Sequence, residues 1–236
     1  MNLNDLLECV RPVRWEHQDS DYPYTIGGTG FLVAYKDRRF FVTAKHCLKS
    51  QDRDPNSIRI EIDANSGVFD AFHRLYLPEG TEEWKDLAIY EFDPKVNPPA
   101  KLNSKDFLEL DLFARVPFDI SSGSRFAIRA YPTDLNAPDF DARILKHTSV
   151  SLSAGWDGRW SSPNCGGLQI DASLDELHKM GLTDLDGASG APVFEIRTVP
   201  GGQMAVFRGV IVQGAMRMQR FIGAPVVFTA LDKAVN

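Results

Sequence analysis

The chain has 236 residues, 43% of them hydrophobic and 25% charged, with 26 basic and 32 acidic side chains for a net charge of −6. That much apolar content supports a folded core and excludes a disordered chain, and the acidic balance is opposite to that of nucleic-acid-binding domains, so no nucleic-acid partner is expected. No apolar run approaches the roughly 18–20 residues that cross a bilayer, and Met1 to Asp5 contain no basic or apolar signal region, so neither membrane association nor secretion is expected.

In chain order, residues 1–20 are ambiguous. Residues 4–10 can form one or two helical turns capped by Asn4, before Pro12 interrupts. Such a segment either packs peripherally or is a tail that meets a regulator. Apolar runs then predict strands over 31–35, 39–44, 58–62, 68–76 and 87–92. Lys36-Asp37-Arg38-Arg39 reads as a solvated hairpin tip between the first two. Asp-Pro-Asn-Ser, Asn-Ser-Gly and Pro-Glu-Gly clusters punctuate the rest. This spacing suits a small antiparallel barrel. Pro94, Pro98 and Pro99 mark the start of a crossover, and 104–113 is either a short helix or extended. A second series is predicted over 125–131, 142–152, 167–170, 192–196, 205–213 and 225–230. Ser173-Leu174-Asp175-Glu176 is a capping-box pattern that starts a helix over 173–180, and 229–236 can close the chain as a terminal helix.

One stretch carries chemistry. Leu185 to Phe194 reads L-D-G-A-S-G-A-P-V-F. Ser189 has only Ala188 and Gly190 beside it, so its hydroxyl is open to a carbonyl carbon. The glycines let the backbone bend until amide N–H groups converge on one point, as an acyl-transfer serine requires. Such a serine needs a histidine base and a carboxylate to orient it. His46 ends the run Phe40-Phe41-Val42-Thr43-Ala44-Lys45-His46-Cys47, and Asp86 opens Asp86-Leu87-Ala88-Ile89-Tyr90. Asp70 and Asp93 are rival carboxylates, but only Asp86 heads that run. A nucleophilic Cys47 paired with His46 is disfavoured, because neighbours on a strand point to opposite faces. The other histidines, at 17, 73, 147 and 178, show no ligand spacing, so no metal is expected. The chain also lacks a phosphate loop and a dinucleotide fingerprint, so no cofactor is expected.

Together, V-T-A-x-H-C, D-L-A-I and G-x-S-G-x-P-V-F, preceded by Gly28-Thr29-Gly30-Phe31-Leu32-Val33, resemble the trypsin/chymotrypsin-like serine peptidases, most closely their bacterial, disulfide-free branch. The resemblance spans Gly28 to Gly214. It implies an all-β fold of two six-stranded antiparallel barrels with the active site in the cleft between them, plus short helices. The units would be an N-terminal segment over 1–20, a first barrel over 21–115 and a second over 116–236. It implies Ser189 as nucleophile, His46 as base, Asp86 as orienting acid, and the N–H groups of Gly187 and Ser189 as an oxyanion hole. One wall of the specificity pocket would hold Thr183 and Asp184 within 183–186, with Thr183 at its base; the other would be Val212, Gln213 and Gly214. An acid at the base gives trypsin-type specificity for Lys or Arg; Asp184 is one position away, and a medium apolar or small polar side chain is the preferred expectation.

Ile26-Gly27-Gly28 invites comparison with the N-terminus that activates secreted relatives. Ile26 lies only 20 residues before His46, and Ala188 stands where the partner aspartate would be, so that switch is not expected. Secreted relatives are usually rich in disulfides, whereas the three cysteines here, Cys9, Cys47 and Cys165, cannot all pair within the chain. Phe31 falls where a partner of Cys47 would lie, so Cys47 is expected to be a thiol. The count favours a reducing compartment and a cytoplasmic location. The expectation is an intracellular serine endopeptidase of narrow specificity acting on a protein or peptide substrate, with a regulatory protein partner left open. The alternatives are a catalytically silent or partner-gated binding module on the same fold, and an esterase using the same triad. The order His, Asp, Ser excludes the α/β-hydrolase elbow.

Overall fold

Two antiparallel sheets follow one another along the chain, and a helix near the C-terminus packs where they meet. The computed structural model describes residues 7–16, 24–48, 58–61, 68–69, 72–80, 82–92, 102, 104–113, 116–137, 139, 146–162 and 164–236. The first sheet contains β1 (Val10–Glu16), β2 (Tyr24–Tyr35), β3 (Arg38–Ala44), β4 (Ile58–Glu61), β5 (Val68–Phe69), β6 (Phe72–Tyr76), β7 (Leu87–Phe92) and β8 (Leu108–Glu109). Its order is β5-β4-β1-β2-β3-β7-β6, with β8 running parallel to β2. The second sheet contains β9 (Arg125–Ala130), β10 (Val150–Ser162), β11 (Cys165–Ile170), β12 (Pro192–Val199), β13 (Gly202–Ala215) and β14 (Met218–Gly223). It closes as a six-stranded barrel in the order β10-β11-β14-β13-β12-β9.

The all-β expectation and the closed second barrel hold, but the first half is not a closed six-stranded barrel. It has eight strands, and among the described residues no ladder joins its two end strands, β5 and β6. Those strands are consecutive in the chain, so the sheet is an open, curled half-barrel.

The stretch 1–20 contains strand β1, which pairs with β2 over its whole length and with β4 over Val13–Trp15. Val13 and Trp15 are buried, but so are Arg11 and Arg14. A strand covered on both faces lacks the alternation that announces a strand. Pro12 is tolerated because it pairs with Thr29 of β2 and lies outside the β4 ladder. Between β2 and β3, Lys36 and Asp37 have φ of 48° and 59°, the two-residue turn that matches strand twist. Ile26, paired with Arg14 inside β2, is mid-strand.

The strand predicted over 142–152 begins at Val150 and runs to Ser162; 142–145 lie outside the described residues. The strand predicted over 225–230 is instead the first half of α3 (Ala224–Val235). Pro225 sits in its first turn, where no N–H is missed. Its buried residues, Ala224, Val227, Ala230, Leu231 and Ala234, recur with helical period, which the β-branched run Val226-Val227 conceals. Two short helices, α1 (Thr133–Asn136) and α2 (Leu174–Lys179), complete the second half. Ser173 caps α2 with a reciprocal capping box with Glu176. Phe31 of β2 lies 5.8 Å from Phe207 of β13, and Phe207 lies 6.4 Å from Phe228 of α3, so aromatic rings join the halves. No helix among the described residues is long and apolar enough to cross a membrane.

Candidate active site

The first wall of the candidate site forms where β3 ends. Its ladder with β7 stops at Ala44–Leu87, and the chain turns into one 3₁₀ turn, Lys45–Leu48. Lys45 N–H donates to the Asp86 carbonyl at 3.1 Å, anchoring that turn to the residue before β7. The Asp86 carboxylate then takes two bonds from one residue. Its Oδ1 accepts His46 N–H at 2.8 Å, and its Oδ2 lies 2.6 Å from His46 Nδ1. An ionised carboxylate can only accept, so Nδ1 carries the proton of the neutral ring and Nε2 is left as the basic nitrogen. His46 is 39% and Asp86 24% exposed at the side chain, open enough for substrate to reach the ring.

The second wall is the loop that carries Ser189. Gly187 and Gly190 have φ of 94° and 89°, a region closed to most side chains. A Cβ on Gly190 would lie 1.8 Å from the Thr29 carbonyl oxygen, and one on Gly187 would lie 2.6 Å from that of Tyr131. Backbone bonds fold the loop tightly: Ala188 N–H donates to Leu185 O, Ala191 N–H to Ala188 O, and Gly190 N–H to Ile211 O. Among the described residues, the Gly187 and Ser189 N–H groups donate to no protein acceptor, as an oxyanion hole requires.

Thr29, in the middle of the Gly-Thr-Gly motif, clasps the two walls. Its N–H donates to Ser189 O at 2.8 Å and its Oγ1 donates to Gly187 O at 2.6 Å. Its Oγ1 also accepts Tyr131 N–H at 2.9 Å, and its carbonyl accepts the Thr43 hydroxyl at 2.7 Å. Cys47 adds a contact, its Sγ lying 3.6 Å from Ser189 O. Sequence reasoning notices the motif without giving Thr29 this role. Only the fold shows that β2 passes beneath the serine loop.

A cleft of about 350 Å³ lies between the walls, lined by His46, Asp86, Asp186, Ser189, Val212, Gln213 and Gly214. Of the residues expected to form specificity walls, Val212, Gln213 and Gly214 are there. Thr183 and Asp184 do not line it. Both are exposed on the side of α1, where Asp134 Oδ2 accepts Thr183 N–H at 2.7 Å, the Thr183 hydroxyl at 2.8 Å and Asp184 N–H at 3.2 Å. Those bonds, the Thr183 amide first, hold the Asp134 carboxyl below its usual range. The acid on the cleft is Asp186, the last residue of the 183–186 wall that the resemblance implies.

Cys47 is buried, does not line the cleft, and its thiol is pushed up to about 12 by burial, so it stays protonated. His147 packs edge-on against Tyr131, away from the cleft. Asp70, Asp93 and His17 lie outside the described residues.

No protein-family model matches this sequence. No curated protein matches it either. Among solved structures it is similar to the tobacco vein mottling virus protease, with a TM-score of 0.52 at 13% identity over 98% of this chain and 85% of that one. A serine protease of a human pathogenic astrovirus superposes with a TM-score of 0.47 at 15% identity over 92% and 89%. The match to a viral protease does not point to the bacterial branch in particular. The first match and the sheet topology give the chain the chymotrypsin-like double-barrel protease fold.

Proposed function

We propose that the chain is a serine endopeptidase working through Ser189, His46 and Asp86 on a protein or peptide substrate. The observation that carries this is the Asp86–His46 pair at 2.6 Å, facing Ser189 across one cleft in which two backbone amides are unspent. In the reaction, Ser189 Oγ attacks the scissile carbonyl carbon and its proton passes to His46 Nε2. The carbonyl oxygen becomes an oxyanion held by the Gly187 and Ser189 amides. Collapse breaks the C–N bond, and the Nε2 proton leaves with the amine. Water then repeats the sequence on the acyl-enzyme, releasing the acid and restoring Ser189. Asp86 keeps the ring in its tautomer and stabilises the imidazolium. Narrow specificity and a reducing, cytoplasmic setting belong to the same proposal; the buried thiols of Cys9, Cys47 and Cys165 suit such a setting.

A second reading, a partner-gated or silent binding module, is favoured by one feature: among the described residues the Ser189 hydroxyl makes no hydrogen bond to His46. Resting peptidases often tighten that bond only with substrate bound. Labelling the purified protein with a fluorophosphonate, read by intact mass, separates the two. Stoichiometric labelling that disappears in Ser189→Ala and His46→Ala supports the peptidase. A folded wild type that stays unlabelled supports the second reading.

A further inference from the structure

The cleft carries a charge that the proposed chemistry does not use. Of its two carboxylates, Asp86 is occupied by His46. Asp186 is exposed, and among the described residues its side chain makes no hydrogen bond or ion pair. No lysine or arginine lines the cleft to neutralise it. Its position is nonetheless fixed. The Asp186 carbonyl accepts Thr133 N–H at 2.7 Å, and the next carbonyl, that of Gly187, accepts the Thr29 hydroxyl at 2.6 Å. The backbone is therefore pinned on both sides of a carboxylate three positions before Ser189. Asp184, the acid the sequence offered for this purpose, is turned away, its own Oδ1 accepting Leu185 N–H at 2.6 Å.

With Asp86 and Asp186 in its lining and no lysine or arginine, the Ser189 cleft is negative, and a cation is favoured there.

We propose that Asp186 is a specificity-determining residue that selects a lysine or arginine side chain next to the scissile bond. This rests on the peptidase reading above. An exposed ion pair changes an equilibrium by up to about fivefold, and partial enclosure in a cleft raises that to about tenfold.

The test begins with peptides from a proteome digested at acidic residues, incubated with the wild-type protein, and the cut sites mapped by mass spectrometry. Quenched peptides built on the most frequent site then carry Lys or Gln at the flanking positions. The expected result is a kcat/KM ratio, Lys over Gln, of about ten for wild type. That ratio falls to within twofold of one in Asp186→Asn and inverts for a Glu peptide in Asp186→Lys, while Asp184→Asn keeps the wild-type ratio. Each ratio is taken within one variant, so partial loss of folded protein cancels. Cleavage with no basic preference, or a preference that survives Asp186→Asn, overturns the role of Asp186 and leaves the peptidase reading standing. No cleavage together with no fluorophosphonate labelling overturns both.

Discussion

The two walls of the cleft are held by different means. The His46 wall is self-contained: one 3₁₀ turn and one aspartate, joined by two side-chain bonds within 40 residues of sequence. The side chains that hold the Ser189 wall come from distant segments, the Thr29 hydroxyl on Gly187 O and the Cys47 thiol on Ser189 O. That wall is shaped by two glycines with positive φ and held by Thr29, which lies 158 residues from the Gly187 it bonds. His46 and Asp86 are set by bonds between the ends of two neighbouring strands. Ser189 and the amides of its loop depend on packing the two halves of the molecule together.

The largest effect that would break this comparison is at Gly190. An added methyl there meets a backbone carbonyl that cannot move without shifting β2. Gly190→Ala is expected to cost at least about 3 kcal/mol, combining left-handed strain with overlap. At this chain length that lowers Tm by roughly 6–12 °C. Gly201→Ala is the control: its φ is 94°, but nothing lies within 4 Å of the added atom, so about 1 kcal/mol is expected. Equal losses in thermal unfolding would mean that φ alone sets the cost and that the contact with Thr29 does not matter.

Next in size is Thr29→Val, which keeps the volume but removes the hydroxyl. Gly187 O loses its donor and Tyr131 N–H its acceptor. Thr29 is fully buried, so water cannot replace either bond, at about 1–3 kcal/mol for each group left unpaired. If the clasp positions the amides, kcat should fall about 10–100-fold with KM little changed, since a misplacement of about 1 Å costs that much. A variant of reduced Tm but normal kcat would show the clasp to be structural only.

Why the two walls differ in legibility follows from the same contrast. His46 and Asp86 each stand at the edge of a hydrophobic strand, and Ser189 sits in a run of small residues, so local sequence marks all three. In the closed barrel β9, β11, β12 and β13 are legible as apolar runs, whereas β14 goes unread and β10 is anticipated only at its start. β1 is not legible, because Arg11 and Arg14 are buried like their apolar neighbours, and the first half of α3 is not, because β-branched residues mask its period; its second half is read as the terminal helix over 229–236. Thr29 is hidden for another reason: its role comes from contacts between distant segments, which no spacing within one segment encodes.

A smaller effect distinguishes the closed barrel from the open sheet. Glu195 of β12 is buried and accepts from Ser124 at 2.5 Å, from Arg208 Nε at 2.7 Å and from Arg197 Nε at 2.8 Å. Arg208 Nη1 also donates to Pro117 O, so this cluster fastens the segment before β9 to the barrel. Burial alone would raise the Glu195 carboxyl, but the bonds from Ser124, Arg208 and Arg197 outweigh it and the net shift is downward from 4.5. The unfolded chain therefore binds the proton first as pH falls. The stabilisation is complete above 4.5 and is lost as pH drops through the lower, folded value. Chemical denaturation from about pH 6 to about pH 3 should show a steep fall in wild type. Glu195→Gln should start less stable and show a shallower fall, because the charge is already gone. Parallel slopes would move the acid sensitivity to other carboxylates.

The smallest expected effect decides where the specificity pocket lies. The family resemblance puts its base at Thr183, whereas in the fold Thr183 is tied to Asp134 on the far side of the loop from the cleft. Thr183→Ala removes one exposed hydroxyl bond and leaves the amide bond to Asp134 in place. A cost below about 1 kcal/mol is expected, because water can take the place of the lost donor. Cleavage preferences should change less than about twofold, since no substrate atom in the cleft would meet the altered side chain. A larger change in preference, with stability intact, would mean that substrate draws the 183–186 loop inward. In that event the Ser189 wall would be adjustable where the His46 wall is not, and the contrast between them would extend from how they are held to how they respond to substrate.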